Sequence, residues 1–118
     1  METLTINGTL RIKNASGTNV FAVYQNGNIR SRKSIVDLQP IPDFVFNTNY
    51  KLMSLYELEK FISLNKHLPE IKSEEEYKTE GGIDLGELNL KLLQKVEELT
   101  LHLIELNKKI EKLEAKKK

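Results

Sequence analysis

Few residues in this 118-residue chain are of types that do chemistry, and their spacing decides what they could do. His67 and His102 are the two imidazoles; neither has a second His, a Cys or a carboxylate at the spacing of a metal site, and the chain contains Cys 0. Ser54 and Ser73 could serve as nucleophiles. Each instead has a glutamate three residues on, Glu57 and Glu76, in the pattern of a helix cap, and neither lies in a Gly-x-Ser-x-Gly turn. The run Glu74 to Glu76 suits the first turn of a helix, where the backbone dipole favours anions, better than a cation site. Arg30, Arg32 and Lys33 form a small basic patch and Lys116 to Lys118 ends the chain; without interleaved aromatics both read as solvated faces rather than a nucleic-acid site. The expectation is a chain that is not an enzyme, with no catalytic residue, no cofactor and no metal.

The elements that would position these residues point to assembly. With 18 basic and 17 acidic residues the formal charge is +1, so no whole-chain field draws the protein to nucleic acid or to an anionic membrane. The start METLTINGTL lacks a basic and then apolar leader, and no run approaches the roughly 18 apolar residues of a membrane span, so membrane insertion is not expected. Residues 1–42 read as a β-rich module: Leu4 to Ile12 alternates around Asn7-Gly8, NASGTN is a loop, and Val20 to Tyr24 and Ile29 to Val36 flank the turn Gln25-Asn26-Gly27-Asn28. Strands this short leave open edges and bury too little to stand alone, which asks for copies of the same chain.

Gln39-Pro40-Ile41-Pro42 cannot be helical and marks a module break. Residues 43–82 then read as a helical collar or connector: an apolar cluster around Phe44, Phe46 and Tyr50, a helix from the Ser54 capping box to about Asn65 with Leu55, Leu58, Phe61 and Ile62 on one face, Asn65 as its left-handed cap, and a short second helix from Ser73 to the stop at Gly81-Gly82. Residues 83–118 read as one long helix. Its apolar residues fall in heptads, with Asn89, Val96, Leu103 and Ile110 at a and Leu85, Leu92, Leu99, Leu106 and Leu113 at d, the row expected to form an oligomer interface. The Asn89 polar side chain would fix register, and Lys109 at g would meet Glu114 at e of a parallel neighbour. The heptads alone leave dimer and trimer open. Leu101 and Ile104 fall outside the row at f and b, so a second layer is needed; Phe44, Phe46, Leu58, Phe61 and Ile62 are expected to fold back and cover them.

The run PDFVFNTNYKLMSLYELEKFISLNKHLPEI followed by GGIDLGELNLKLLQKVEELTLHLIELNKKIEKLE resembles a C-terminal module of fibre-like proteins of Bacteroidetes and their phages, itself similar to the C-terminal assembly domain of phage tail fibres. The resemblance rests on Pro42 to Phe46, Tyr50 and Leu52, Ser54 to Glu59, His67 to Pro69, Gly82 to Glu87, and Lys95 to Leu101. Ile71-Lys72-Ser73-Glu74 departs from the Ile-Pro-Ser-Ala usual in that module. Upstream, QNGNIRSRKSIV is similar to the segment that leads into it from a β fibre.

Together these readings predict an α+β fold: an elongated homotrimer with intertwined short N-terminal strands, a small helical collar and a C-terminal parallel coiled coil. The resemblance implies a structural virion spike or tail-fibre component, made in the host cytoplasm and exposed on the virion surface. Its C-terminal part would drive trimerisation and register the β fibre for host attachment, with other virion proteins and a host surface receptor as partners. The alternative is a cellular coiled-coil adaptor whose helix recruits a different protein.

Overall fold

The computed structural model describes residues 1–117, so Lys118, expected at the end of the long helix, lies outside the described residues. It is α+β, with a three-stranded antiparallel sheet and three α-helices. The chain divides into two compact units, Met1–Asp37 and Leu38–Lys118.

The first unit is a meander of β1 (Leu10–Lys13), β2 (Asn19–Val23) and β3 (Ile29–Ser31), in the order β1-β2-β3. Both connections are built by asparagine. Asn14 Oδ1 accepts from the Ser16 and Thr18 amides, and Asn26 Oδ1 accepts from the Asn28 amide, while Gly17 (φ 82°) and Gly27 (φ 90°) take the left-handed conformations that close the turns. NASGTN, expected as a plain loop, is thus the first hairpin turn. The sheet is also shorter than its sequence suggests. Leu4 to Thr9 and Arg32 to Val36 are not strands, because a ladder forms only where a second strand presents free amides and carbonyls.

Period-two alternation sorts the side chains of the sheet. Leu10 pairs with Val23 and Val23 with Ile29, and Ile12 pairs with Phe21, so these five share one face. Arg11, Ala22 and Arg30 form the row on the other. Leu10, Ile12 and Ile29 are exposed, and Ala22 is the unit's buried residue.

The second unit opens with a 3-10 helix, Pro42–Phe46, that packs on the long helix. Next comes α1 (Leu55–Asn65), capped by Ser54, whose hydroxyl accepts from the Glu57 amide at 3.1 Å, a bond worth about 1 kcal/mol. The reciprocal box is complete at α2 (Glu74–Glu80), where Ser73 Oγ accepts from the Glu76 amide and the Glu76 carboxylate accepts from the Ser73 amide. The left-handed cap of α1 is Lys66 (φ 60°) and not Asn65 as expected, because Asn65 remains helical and its Nδ2 donates back to the Phe61 carbonyl at 3.0 Å. Gly81 (φ 85°) stops α2. The last element, α3 (Leu85–Lys116), has 32 residues and is about 48 Å long at 1.5 Å per residue. Its cap is Asp84, which accepts from the Glu87 amide at 3.0 Å, and Gly86 falls in the first turn, before the helix interior where glycine is most costly. No helix is long and apolar enough to cross a membrane among the described residues.

Candidate oligomerisation face of the long helix

Two sides of α3 have opposite fates. Gln94, Glu97 and His102 are buried, and Leu90, Lys91, Lys95, Glu98 and Leu101 are half-buried. Two positions further along from three of these stand Val96, Leu99 and Leu103, all exposed. At about 100° per residue a step of two turns through roughly 200°, so Gln94 and Val96, Glu97 and Leu99, and Leu101 and Leu103 lie on opposite sides of the helix. The side turned to the rest of the unit carries heptad positions b, c, f and g; the bare side carries the expected interface row. Along that row Leu85 is 72% exposed, Leu92 44%, Val96 56%, Leu99 54%, Leu103 65%, Leu106 40%, Ile110 53% and Leu113 60%, and Asn89 is exposed among them. A ladder of large apolar side chains left in water is the mark of a surface meant for another macromolecule.

The covering element is the 3-10 helix, through residues not anticipated. With three residues per turn, i and i+3 eclipse, so Pro42 and Val45 share one face and both are buried, Val45 to 1% exposure. The neighbouring phenylalanines are turned off that face: Phe44 is 37% exposed, its ring 5.9 Å from that of Tyr50, and Phe46 is 53% exposed. Leu58 and Phe61 are half-buried and Ile62 is 39% exposed. Leu101 is half-buried, but Ile104 is 47% exposed, because coverage of α3 ends at His102 and every described residue beyond it stays open. The signal that could have identified Val45 is the Pro-x-x-apolar spacing itself.

The covered side is inlaid with polar groups. Gln94 Nε2 donates to both Glu70 oxygens (3.1 and 3.2 Å) and approaches the Tyr50 hydroxyl at 3.4 Å. Lys95 Nζ bridges Glu70 Oε1 (3.3 Å) and Glu98 Oε1 (2.9 Å). Glu70 reaches this position from a left-handed backbone (φ 66°) directly after buried Pro69, a conformation that costs a non-glycine residue on the order of 1 kcal/mol and is offset by these bonds. Burial, together with the Glu98 and Glu70 carboxylates, raises the Tyr50 phenol above its ordinary value against the opposing effects of Gln94 and Lys95. Beside this inlay Tyr50, Leu58, Leu68, Leu99 and His102 line part of a cleft of about 170 Å³. Leu99 therefore borders both the cleft and the bare row.

Glu97 is the discordant member. It is 9% exposed, and its Oε2 has no hydrogen-bond partner. Burial foremost, then the nearby Asp43 carboxyl, pushes it above the ordinary carboxyl value of 4.5. A carboxyl raised in the folded state favours folding most below its unfolded value, and that contribution is lost as pH rises through the folded value. Docking of the 3-10 helix should accordingly be firmer at pH 4 than at pH 8. Glu97→Gln should flatten the dependence, read as the pH profile of amide exchange across residues 42–65; an unchanged profile would assign it to another group.

The histidines are accounted for by packing. His67 Nδ1 lies 2.9 Å from the Leu68 carbonyl, which can only accept, so this nitrogen carries the proton, and the ring meets Phe61 edge-on at 5.6 Å. No group of three His, Cys, Asp or Glu among the described residues is placed to hold a metal ion. No family model, curated protein or solved structure matches the chain.

Proposed function

We propose that this chain is a structural, non-enzymatic component of a virion spike or tail fibre, in which α3 trimerises as a parallel coiled coil and registers the β module for host attachment. The observation that carries the proposal is the bare apolar row from Leu85 to Leu113 on a helix whose opposite side is already covered within its own chain. A helix serving only a monomeric core turns its apolar side inward; this one turns a side carrying Gln94, Lys95, Glu97 and His102 to its own unit and leaves outward an apolar row whose four-three spacing matches copies of itself. The exposed sector is wider than a two-stranded seam, since Leu93 at position e is also 40% exposed, and this supports three strands over two. The sheet adds to the case, because its apolar face of Leu10, Ile12 and Ile29 lacks cover within its own unit.

Light scattering of the purified chain should return three times the 13.6 kDa chain mass, independent of any added protein. Twice that mass would keep the seam and reject the trimer. A monomer would reject self-assembly and turn the same row into a docking face for a different helix, as in a cellular adaptor.

A further inference from the structure

The unit covers the two flanks of α3 unevenly. At the g positions Leu88 and Lys95 are half-buried and His102 is buried, whereas the e positions Leu93, Thr100 and Asn107 are all exposed. The cleft shows which segments stand on the closed flank, since Leu58 of α1 and Leu68 line it together with Lys95, Glu98, Leu99 and His102.

α1 itself is only half seated. At about 100° per residue Leu55, Ile62, Leu58 and Phe61 follow one another across an arc of roughly 120°. Leu58 and Phe61, at the inner edge, are half-buried; Leu55 and Ile62, at the outer edge, are 43% and 39% exposed. None of the 11 residues of α1 is buried, and a helix of that length holds little structure in water without an apolar surface to lie on. The outer edge lacks that surface.

Its own chain cannot provide it. Around the helix the c, d and g positions that line the cleft lie across the axis from e and b, so Ile104, exposed at b, is out of reach of the α1 beside it. A parallel neighbour can, because such coils set the g flank of one helix against the e flank of the next. The register that pairs Lys109 with Glu114 also pairs Lys95 with Thr100 and His102 with Asn107, and Ile104 adjoins both of these e residues on the helix surface.

We propose that α1 of each copy lays Leu55 and Ile62 on the e and b flank of the next copy, around Thr100 and Ile104. On the parallel assembly proposed above, this clasp runs head to tail from copy to copy and closes as a ring at the third. It uses the apolar residue that neither the heptad row nor its own unit covers. Leu58 and Phe61 keep α1 on its own chain, and the outer edge adds the contact between chains.

The chain has Cys 0, so introduced cysteines report this contact without background. Ile62→Cys and Ile104→Cys chains, co-expressed and treated with a short bis-maleimide, should shift on a denaturing gel from one to two chain masses of 13.6 kDa, with light scattering on the same samples before treatment. Both positions are exposed within the chain, so neither change disturbs the fold of the unit. The product can form only between copies, because each chain carries one cysteine. Each variant alone should stay at one mass, as should Lys60→Cys, on the far side of α1, mixed with Ile104→Cys. A trimer that stays unlinked, or that links through position 60 as readily as through 62, overturns the clasp and leaves the trimer standing. Linking of Ile104→Cys to itself brings two b positions together and overturns the clasp as well. Linkage in a protein of twice the chain mass keeps the clasp and rejects the third strand. A monomer overturns both.

Discussion

On the proposed trimer, replacing Leu103 by Glu is expected to reduce the assembly to monomers while the 3-10 helix stays seated on α3. Leu103 is 65% exposed within the chain and lies at the centre of the bare row, so the change removes little packing from the isolated unit. In a parallel trimer it would remove three buried leucines from one layer, each worth roughly 1.5 to 3 kcal/mol, and bring three carboxylates together in an apolar seam, a loss on the order of 10 kcal/mol per assembly. That exceeds what the neighbouring layers can offset, because a residue at a has no route to water without parting the helices. Light scattering at matched concentration checks the mass, and amide exchange across residues 42–65 checks that the covered side is intact. Ile104→Glu, one residue on and 47% exposed at position b, is the control and should leave the mass unchanged. A Leu103→Glu chain that remained trimeric would place the interface off the heptad row.

Val45→Asp should do the reverse, freeing the 3-10 helix and α1 while leaving the proposed oligomer intact. Val45 is 1% exposed and, with Pro42, forms the contact of this turn with α3. The substitution withdraws an aliphatic side chain and places a carboxylate in a site that already holds the raised carboxyl of Glu97, with Asp43 beside it. Burying an uncompensated charge costs about 3 to 5 kcal/mol, more than one such turn can supply, so the segment leaves the helix instead. At 1.4 kcal/mol per factor of ten, amide exchange in residues 54–65 should quicken by about two powers of ten or more. Retained protection would show that α1 is held through the cleft at Leu58 and Leu68 and not through the 3-10 helix.

The two substitutions separate the covered and the bare side of α3, and this division is partly legible in the residue types alone. Positions 101 and 104 carry apolar residues that one seam cannot use, which implies a second layer. The sequence points to Phe44, Phe46, Leu58, Phe61 and Ile62 as that layer, because theirs is the apolar face left without another role. In a 3-10 turn, however, the eclipsed pair is Pro42 and Val45, and the rings flank the contact. Helical spacing groups Ile104 with Leu101, whereas coverage of α3 ends at His102, two residues short of it.

By itself the sequence determined much of what is decided within about one heptad. The Ser73–Glu76 box, the stop at Gly81, the tight turn at Asn26, and the apolar row of α3 are each set by bonds or helical geometry spanning two to seven residues, so the residue types at those spacings suffice. What only the tertiary structure decided joins distant positions. Gln94 meets Glu70 across 24 residues and Tyr50 across 44, and the left-handed turn that delivers Glu70 is explained only by those partners. The Arg11–Ala22–Arg30 row follows from where two hairpin registers settle: a slip of one residue in either would carry an arginine to the apolar face. Local pattern specifies which elements form, because backbone bonds and caps are short-range. Which side chains share a face or a buried bond depends on how those elements pair and pack, and that is settled only when the whole unit is closed.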